Sequence, residues 1–249
     1  MTTKLTVQED IKRIVTFIQE KTRAAGAHHV VIAWSGGIDS TVSLYLCAQA
    51  LGTENVTVLH LPYETSYQND FREIQSNLGM SSDRFHVVSI KSMVDSVSTV
   101  LKPDDLRKGN MMARMRMIVI YDYAKKLNAL VCGTENRTED LLGYFTRFGD
   151  QASDFEPIQH LYKTQVYEYA KALQVPQTFI DRAPSAGLWA GQTDEGEFGF
   201  TYAEADAVLS RMFDESMSIE HIEKEYPNAR TIVALVKKNE FKHKVPYSL

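Results

Sequence analysis

Ser35-Gly36-Gly37-Ile38-Asp39-Ser40 is the stretch of this chain whose residue types and spacing point most directly to chemistry. Two adjacent glycines let a backbone approach a ligand closely, and the hydroxyls of Ser35, Ser40 and Thr41 stand beside the free amides of a first helical turn. Such a nest holds an anion, and phosphate is the anion it fits best. It is not the G-x-x-x-x-G-K-[ST] loop, because no lysine follows the glycines and Asp39 stands where that loop has no acid. An aspartate beside phosphates suggests a magnesium ligand. The elements that position the loop are its neighbours: Val30 to Trp34 is an apolar run that reads as a strand, and Thr41 to Ala48 reads as a buried helix.

The rest of the chain repeats this alternation. Thr6 and Glu9 are spaced as a capping box, and Ile11, Ile14, Val15 and Ile18 form one helical stripe, so residues 6–25 read as a packing helix. Val56 to Leu61 is a second apolar strand ended by Pro62, followed by a helix near residues 66–78 and a strand over Phe85 to Ile90. A polar stretch from Lys102 to Lys108 leads to Gly109 and a helix from Asn110 to about Lys126, and Ala129 to Cys132 forms the next buried strand. Right-handed crossovers then give an α/β fold, a doubly wound parallel sheet flanked by helices. Residues 183–201 have no period and read as a long loop, and three helices after Tyr202 form a helical C-terminal appendage. One domain over 1–249 is expected, without repeats or linkers.

Three features mark chemistry beyond the loop. Arg114 and Arg116 lie two apart, about 200° around a helix, so both cannot face solvent while the methionines and isoleucines around them pack on one core; one is expected on a phosphate or carboxylate, or in a salt bridge between helices. Lys163 opens a helix, where a cation opposes the dipole by roughly 0.3–1 kcal/mol, so an anion is expected beside it unless water solvates it. The stretch Gly143 to Asp150 mixes glycine, aromatics and both charges, which suits a shaped loop around a planar ligand. The 249 residues are 44% hydrophobic and 24% charged, ordinary for a soluble globular chain. A net charge of −5 disfavours nucleic acid as a partner and requires a local cluster of Lys and Arg to meet a polyanionic ligand. Met1-Thr2-Thr3-Lys4 lacks the apolar core of a signal peptide and no window is long and apolar enough for a membrane span, so a cytoplasmic location is expected. Cys47 and Cys132 fall in apolar elements, which fits two buried thiols better than a disulfide or a metal pair.

The motifs SGGIDS at 35–40, Lys108-Gly109-Asn110-(x3)-Arg114-x-Arg116-Met117, Gly133-Thr134-(x4)-Glu139, Gly143-Tyr144-Phe145-Thr146-Arg147-Phe148-Gly149-Asp150 and Thr193-Asp194-Glu195, in this order, resemble the ammonia-dependent NAD synthetases of the ATP pyrophosphatase superfamily. The resemblance implies ATP-dependent amidation of deamido-NAD by ammonia through an adenylated nicotinate carboxyl, with release of AMP and pyrophosphate. It also implies roles by position. Ala33, Trp34, Ser35, Gly36, Gly37, Ile38, Asp39 and Ser40 would bind ATP, as would Thr134, Lys163 and Ser185. Asp39 and Glu139 would hold Mg²⁺, and Arg114, Arg147, Asp150, Phe241 and Lys242 would meet deamido-NAD. Arg147 replaces the lysine usual in relatives, which exchanges a point charge for a planar fork. Phe241 stands where relatives have His. Asp39, Glu139, Lys163 and Asp150 would carry catalysis, Asp150 by orienting ammonia or by taking a proton from ammonium. A homodimer is implied, with the deamido-NAD site at its interface. No cysteine precedes the first strand, so free ammonia rather than glutamine is the expected nitrogen source. Two alternatives stay open: a tRNA-modifying adenylating enzyme of the same superfamily, and a nucleotide-binding module without turnover.

Overall fold

The computed structural model describes residues 5–64, 68–184 and 193–244. Its centre is a four-stranded sheet, β1 (His29–Ala33), β2 (Val56–His60), β3 (Phe85–Val87) and β4 (Ala129–Cys132), in the order β3-β2-β1-β4. All neighbours run parallel, with Val30 opposite both Val56 and Leu130. Among the described residues, twelve α-helices surround it: α1 (Val7–Ala24), α2 (Ile38–Leu51), α3 (Gln68–Leu78), α4 (Lys91–Leu101), α5 (Asp105–Leu127), α6 (Arg137–Leu142), α7 (Lys163–Ala172), α8 (Gln177–Ile180), α9 (Asp194–Phe198), α10 (Tyr202–Phe213), α11 (Ile219–Ile222) and α12 (Ala229–Asn239).

Because β1 and β2 are covered on both faces, they carry near-continuous apolar runs and their residues alternate between two cores. Val30, Ile32, Val56 and Val58 pack with Ile11, Ile14 and Ile18 of α1, Leu44 and Leu46 of α2 and Val166 of α7. Val31, Leu59 and Val131 point the other way, onto Val94 of α4 and Met112, Val119 and Ile120 of α5. The chain winds outward from β1 through β2 to β3, then crosses back to place β4 on the other side of β1. The strand order therefore reverses between β1 and β4, and the crevice at their carboxyl ends is where a doubly wound sheet receives a ligand.

A third core, Leu142, Phe200, Ala205, Val208, Leu209, Ile222, Ile232 and Val233, fastens α10 to α12 onto α6. Its closing contacts are made to backbone: Asn239 Nδ2 donates to Leu142 O at 2.8 Å, and Lys242 Nζ to Gly143 O at 2.6 Å and Phe145 O at 3.0 Å. Gly143 caps α6 at φ +63°, and a Cβ there would run into the Asn239 side chain. Gly143→Ala combines a left-handed backbone with that collision. It should lower stability by about 1–3 kcal/mol, measured by urea unfolding.

Several boundaries differ from the sequence expectation. The long helix starts at Asp105 instead of Asn110, because Asp104 accepts from Arg107 N at 2.8 Å and caps it early, so Gly109 lies inside the helix. Helix α4 was not anticipated, and β3 ends at Val87, short of Ile90. Within 183–201, Thr193 caps a short helix, α9, through Gly196 N. The segment Ser218 to Tyr226 keeps only the single turn of α11. Cys47 and Cys132 are buried free thiols with their sulfurs 3.5 Å apart, and burial pushes the Cys132 thiol up. No helix among the described residues is long and apolar enough to cross a membrane.

Candidate active site

The glycine-rich loop leaves β1 at the switch point. Trp34 is buried against Phe71 and Phe179, and its Nε1 donates to Thr41 Oγ1 at 3.0 Å, which ties the loop's entry to the first turn of α2. The hydroxyls hold the loop's own shape: Ser40 Oγ and Thr41 Oγ1 donate to Gly37 O at 3.0 and 2.8 Å, and Ser35 Oγ lies 3.1 Å from Ser40 Oγ. Expected as ligand donors, they serve first as struts. Gly37 caps α2 with no side-chain hydrogen bond, so the first-turn amides remain for an anion. Gly36 takes φ +84°, and Arg182 Nη1 donates to its carbonyl at 2.7 Å while Nη2 reaches Asp70 at 2.7 Å.

Beside the loop, Lys163 Nζ lies 2.5 Å from Asp39 Oδ2 and 3.1 Å from Glu139 Oε1. The lysine side chain is 2% exposed, and those of Asp39 and Glu139 are 16% and 17% exposed. Each of the three comes from a different element at the same sheet edge: α2, α6 and α7. Thr138 and Asp206 fix the start of α7, since Thr138 Oγ1 donates to Asp206 Oδ1 at 2.5 Å and accepts from Lys163 N at 2.9 Å. Asn136 caps α6 by accepting from Glu139 N at 3.0 Å, and its Nδ2 donates to Asp39 Oδ1 at 2.9 Å. Burial opposes the charge on Lys163, but the two carboxylates outweigh it and raise its pKa. Burial pushes Glu139 up to about 7 against the pull of Lys163, and Asp39 adds to the rise. Two carboxylates against one ammonium leave an excess negative charge whose donors are hard oxygens.

A second patch follows α6. Arg114, exposed on α5, donates from Nε to Arg147 O at 3.2 Å. The Arg147 guanidinium lies 5.2 Å from the Phe241 ring centre. Asp150 accepts from Thr146 N at 3.1 and 3.3 Å, and Lys242 supports the same loop through its carbonyls. Arg114, Arg147, Asp150, Phe241 and Lys242 therefore meet around one loop. Arg116 goes the other way: its Nε donates to Leu61 O at 3.0 Å, and burial lowers its pKa. Thr134 is half-buried just beyond β4, and Ser185 lies outside the described residues.

Sequence reasoning missed Asn136, Arg182 and Tyr202. Asn136 had a signal, since N-x-x-E is a capping pattern. Tyr202 had none: its hydroxyl donates to Asp194 Oδ2 at 2.9 Å and lies 3.4 Å from Glu139 Oε1, and its ring faces Lys163 Nζ at 4.9 Å.

Also missed was the pair Glu135 and Glu156. Glu135 N donates to Glu156 Oε2 at 3.0 Å, Ser153 Oγ donates to Glu156 Oε1 at 2.7 Å, and a Cβ on Gly133 would fall on the Glu156 carboxylate. Burial pushes Glu135 up to about 10 and Glu156 to about 7, each helped by neighbouring carboxylates. A carboxyl raised from 4.5 to about 10 contributes stability that is complete below about 4.5 and lost as pH rises through about 10. Glu135→Gln keeps the shape and removes the titration. In ammonium-free buffer it should raise the melting temperature by a margin that widens between about pH 5 and about pH 9. A margin independent of pH would contradict the shift.

A parallel sheet with a glycine-rich loop and a carboxylate–lysine–carboxylate cluster at its switch point defines a nucleotide-binding α/β protein. Residues 10–246 match the family model for NAD synthase. An NH3-dependent NAD+ synthetase of Thermococcus kodakarensis is 43% identical over 243 residues, 95% of this chain and 94% of the relative; that of Pyrococcus furiosus is 42% identical over 250 residues, 98% and 95%. Among solved structures, the NMN synthetase of Francisella tularensis superposes with a TM-score of 0.85 at 32% identity, covering 99% of both chains. The NH3-dependent NAD synthetase of Campylobacter jejuni, solved with nitrate, gives 0.82 at 30% identity and covers 99% of this chain and all of that one. The chain belongs to the NAD synthase family.

Proposed function

We propose that this protein amidates deamido-NAD with ammonia at the expense of ATP, giving NAD, AMP and pyrophosphate. The observation that carries the reading is Lys163 Nζ between Asp39 and Glu139 beside the open amides of α2. A carboxylate does not exchange oxygen for nitrogen unless that oxygen becomes a leaving group. Attack of the nicotinate carboxylate on the α-phosphorus does this: it releases pyrophosphate and leaves an acyl adenylate from which ammonia displaces AMP. No nucleophilic side chain is needed, so catalysis rests on positioning and charge stabilisation. The α2 amides cradle phosphate, and Lys163 offsets charge on the departing pyrophosphate. Asp39 and Glu139, brought side by side on Lys163, are the residues that would hold Mg²⁺. When bound, the ion neutralises phosphate charge. Arg114 and Arg147 meet the anionic dinucleotide.

The test is incubation with ATP, magnesium, deamido-NAD and ammonium. NAD and AMP should appear in equal amounts, and oxygen-18 from the nicotinate carboxyl should appear in AMP; its appearance in pyrophosphate would exclude the adenylate. Nicotinate mononucleotide is the competing acceptor to run alongside, given the likeness to an NMN synthetase. Glutamine as sole nitrogen source, free of ammonium, should give no NAD.

The reading includes a cytoplasmic homodimer built on one catalytic unit. Ile118 of α5 is 52% exposed and Phe148 of the ligand loop 56%, close to Arg114 and Arg147 in sequence, and a partner would cover them. Static light scattering should give twice the chain mass, and Ile118→Glu should shift it to the monomer; a fully active monomer would count against the dimer.

A further inference from the structure

Glu135 is 7% exposed, and its Oε1 has no hydrogen-bond partner among the described residues. Its Oε2 is reached by Gln159 Nε2 at 3.5 Å, and the same amide lies 3.3 Å from Asp140 Oδ1. Its backbone N–H is bonded to Glu156. Three carboxyl groups, from the turn between β4 and α6, from α6 itself and from the loop after Ser153, are thus gathered around one amide and one backbone N–H. Two of the cations that face them have other partners: Lys242 donates to Gly143 O and Phe145 O, and Arg137 is paired with Asp214. His243 lies 3.5 Å from Asp140 and leaves Glu135 Oε1 unmet among the described residues. A buried carboxylate oxygen with no donor is costly, so this one must hold a proton or face a cation.

We infer that Glu135, Glu156 and Asp140 form a binding site for ammonium, with Glu135 Oε1 as its principal acceptor and proton acceptor. The inference rests on the proposed use of ammonia. An ammonium ion presents only donors and the carboxylates only acceptors, at the hydrogen-bond spacing that Gln159 already spans. A small divalent ion would need oxygens drawn in to 2.0–2.6 Å. The site is joined to the reaction centre through the chain, since the next residue, Asn136, touches Asp39. Glu139 and Asp150 lie near enough to add to the field on Glu135. Unliganded Glu135 holds a proton at neutral pH, so the incoming ammonium first displaces that proton to water and faces the carboxylate. Return of one proton from nitrogen then completes the step: an N–H bond breaks, its electron pair stays on nitrogen as the lone pair, and an O–H bond forms on Glu135 Oε1. Ammonium plus carboxylate becomes ammonia plus carboxylic acid. Burial favours the protonated acid, so it opposes the first exchange and favours the return. The neutral ammonia is the form that can attack the adenylate.

Two measurements on the full chain test the site. Thermal unfolding without ATP or deamido-NAD, in ammonium, potassium or sodium chloride at equal ionic strength, should show stabilisation by ammonium that is absent in Glu135→Gln. Equal stabilisation by potassium, or none by ammonium in the wild type, would overturn the assignment. In steady state, Glu135→Gln should raise the ammonium KM by about 10- to 100-fold, with the KM values for ATP and deamido-NAD unchanged and kcat largely recovered at high ammonium. A fall in kcat at unchanged ammonium KM would make Glu135 structural and overturn the assignment. If Glu135→Gln fails to fold, Glu156→Gln is read by the same two criteria. If the wild type makes no NAD from ammonium yet ammonium still stabilises it selectively, the proposed function fails and the site stands.

Discussion

Lys163→Met lowers turnover by about 10³-fold or more and destabilises the chain by about 3–5 kcal/mol. Methionine fits the buried socket, so the loss isolates charge from shape. Without the ammonium, Asp39 and Glu139 face each other with side chains no more than 17% exposed and, among the described residues, with Asn136 and Tyr202 near their oxygens. One of them must then be protonated or pushed toward water. The destabilisation should therefore be greatest at high pH and shrink as pH falls, because protonation removes the repulsion; losing the pull of Lys163 moves Glu139 above its wild-type value of about 7. Urea unfolding at two pH values either side of neutrality reads this directly. A pH-independent loss would mean that the lysine acts through packing alone. Lys163→Arg keeps the charge but offers a planar fork where the two carboxylates meet a point donor, and should recover stability better than activity.

The carboxylate variants are expected to share the loss of turnover and to differ in stability. Asp39→Asn leaves an amide oxygen for Asn136 Nδ2 and leaves Lys163 paired with Glu139. Glu139→Gln leaves Lys163 paired with Asp39. Each turns an excess of negative charge into a neutral pair, so stability should change by less than about 1 kcal/mol or rise slightly. Turnover should still fall about 10³-fold or more, because only one of the two carboxylates that would hold magnesium keeps its charge. Near-wild-type activity of either variant would remove the metal assignment. Loss of activity shared by all three substitutions, with large destabilisation only for the lysine, is a pattern that a purely structural cluster would not produce.

The centre of the fold was legible because its signals are local. The apolar run before Ser35, the paired glycines and the apolar helix after them follow one another in the chain, and the two-residue alternation in β1 and β2 records the two cores. Lys163 was legible as an anomaly: a cation at a helix start implied an anion beside it, and Asp39 and Glu139 lie there. The arginine pair was legible as one that cannot share a face, and Arg114 and Arg116 do part, but to the backbone carbonyls of Arg147 and Leu61 and not to the interhelix salt bridge that was one of the two expectations. What could not be read depends on chain segments that meet only after folding. Tyr202 reaches the centre from the C-terminal helices, and Arg182 meets Gly36 and Asp70 across more than a hundred residues. The free oxygen of Glu135 is set by Gln159 and Glu156, neither of which is marked by period or motif.

Lys242 bonds to carbonyls 97 and 99 positions earlier in the chain, and Tyr202 meets Glu139 across 63. During synthesis the winding from β1 to β4 can settle as soon as those strands have emerged. The loop that would receive the dinucleotide lacks its Lys242 brace until the turn after α12 is made. A ribosome-bound chain would therefore bind ATP phosphates before it could hold its second substrate. Competence toward both substrates would therefore wait on the turn after α12.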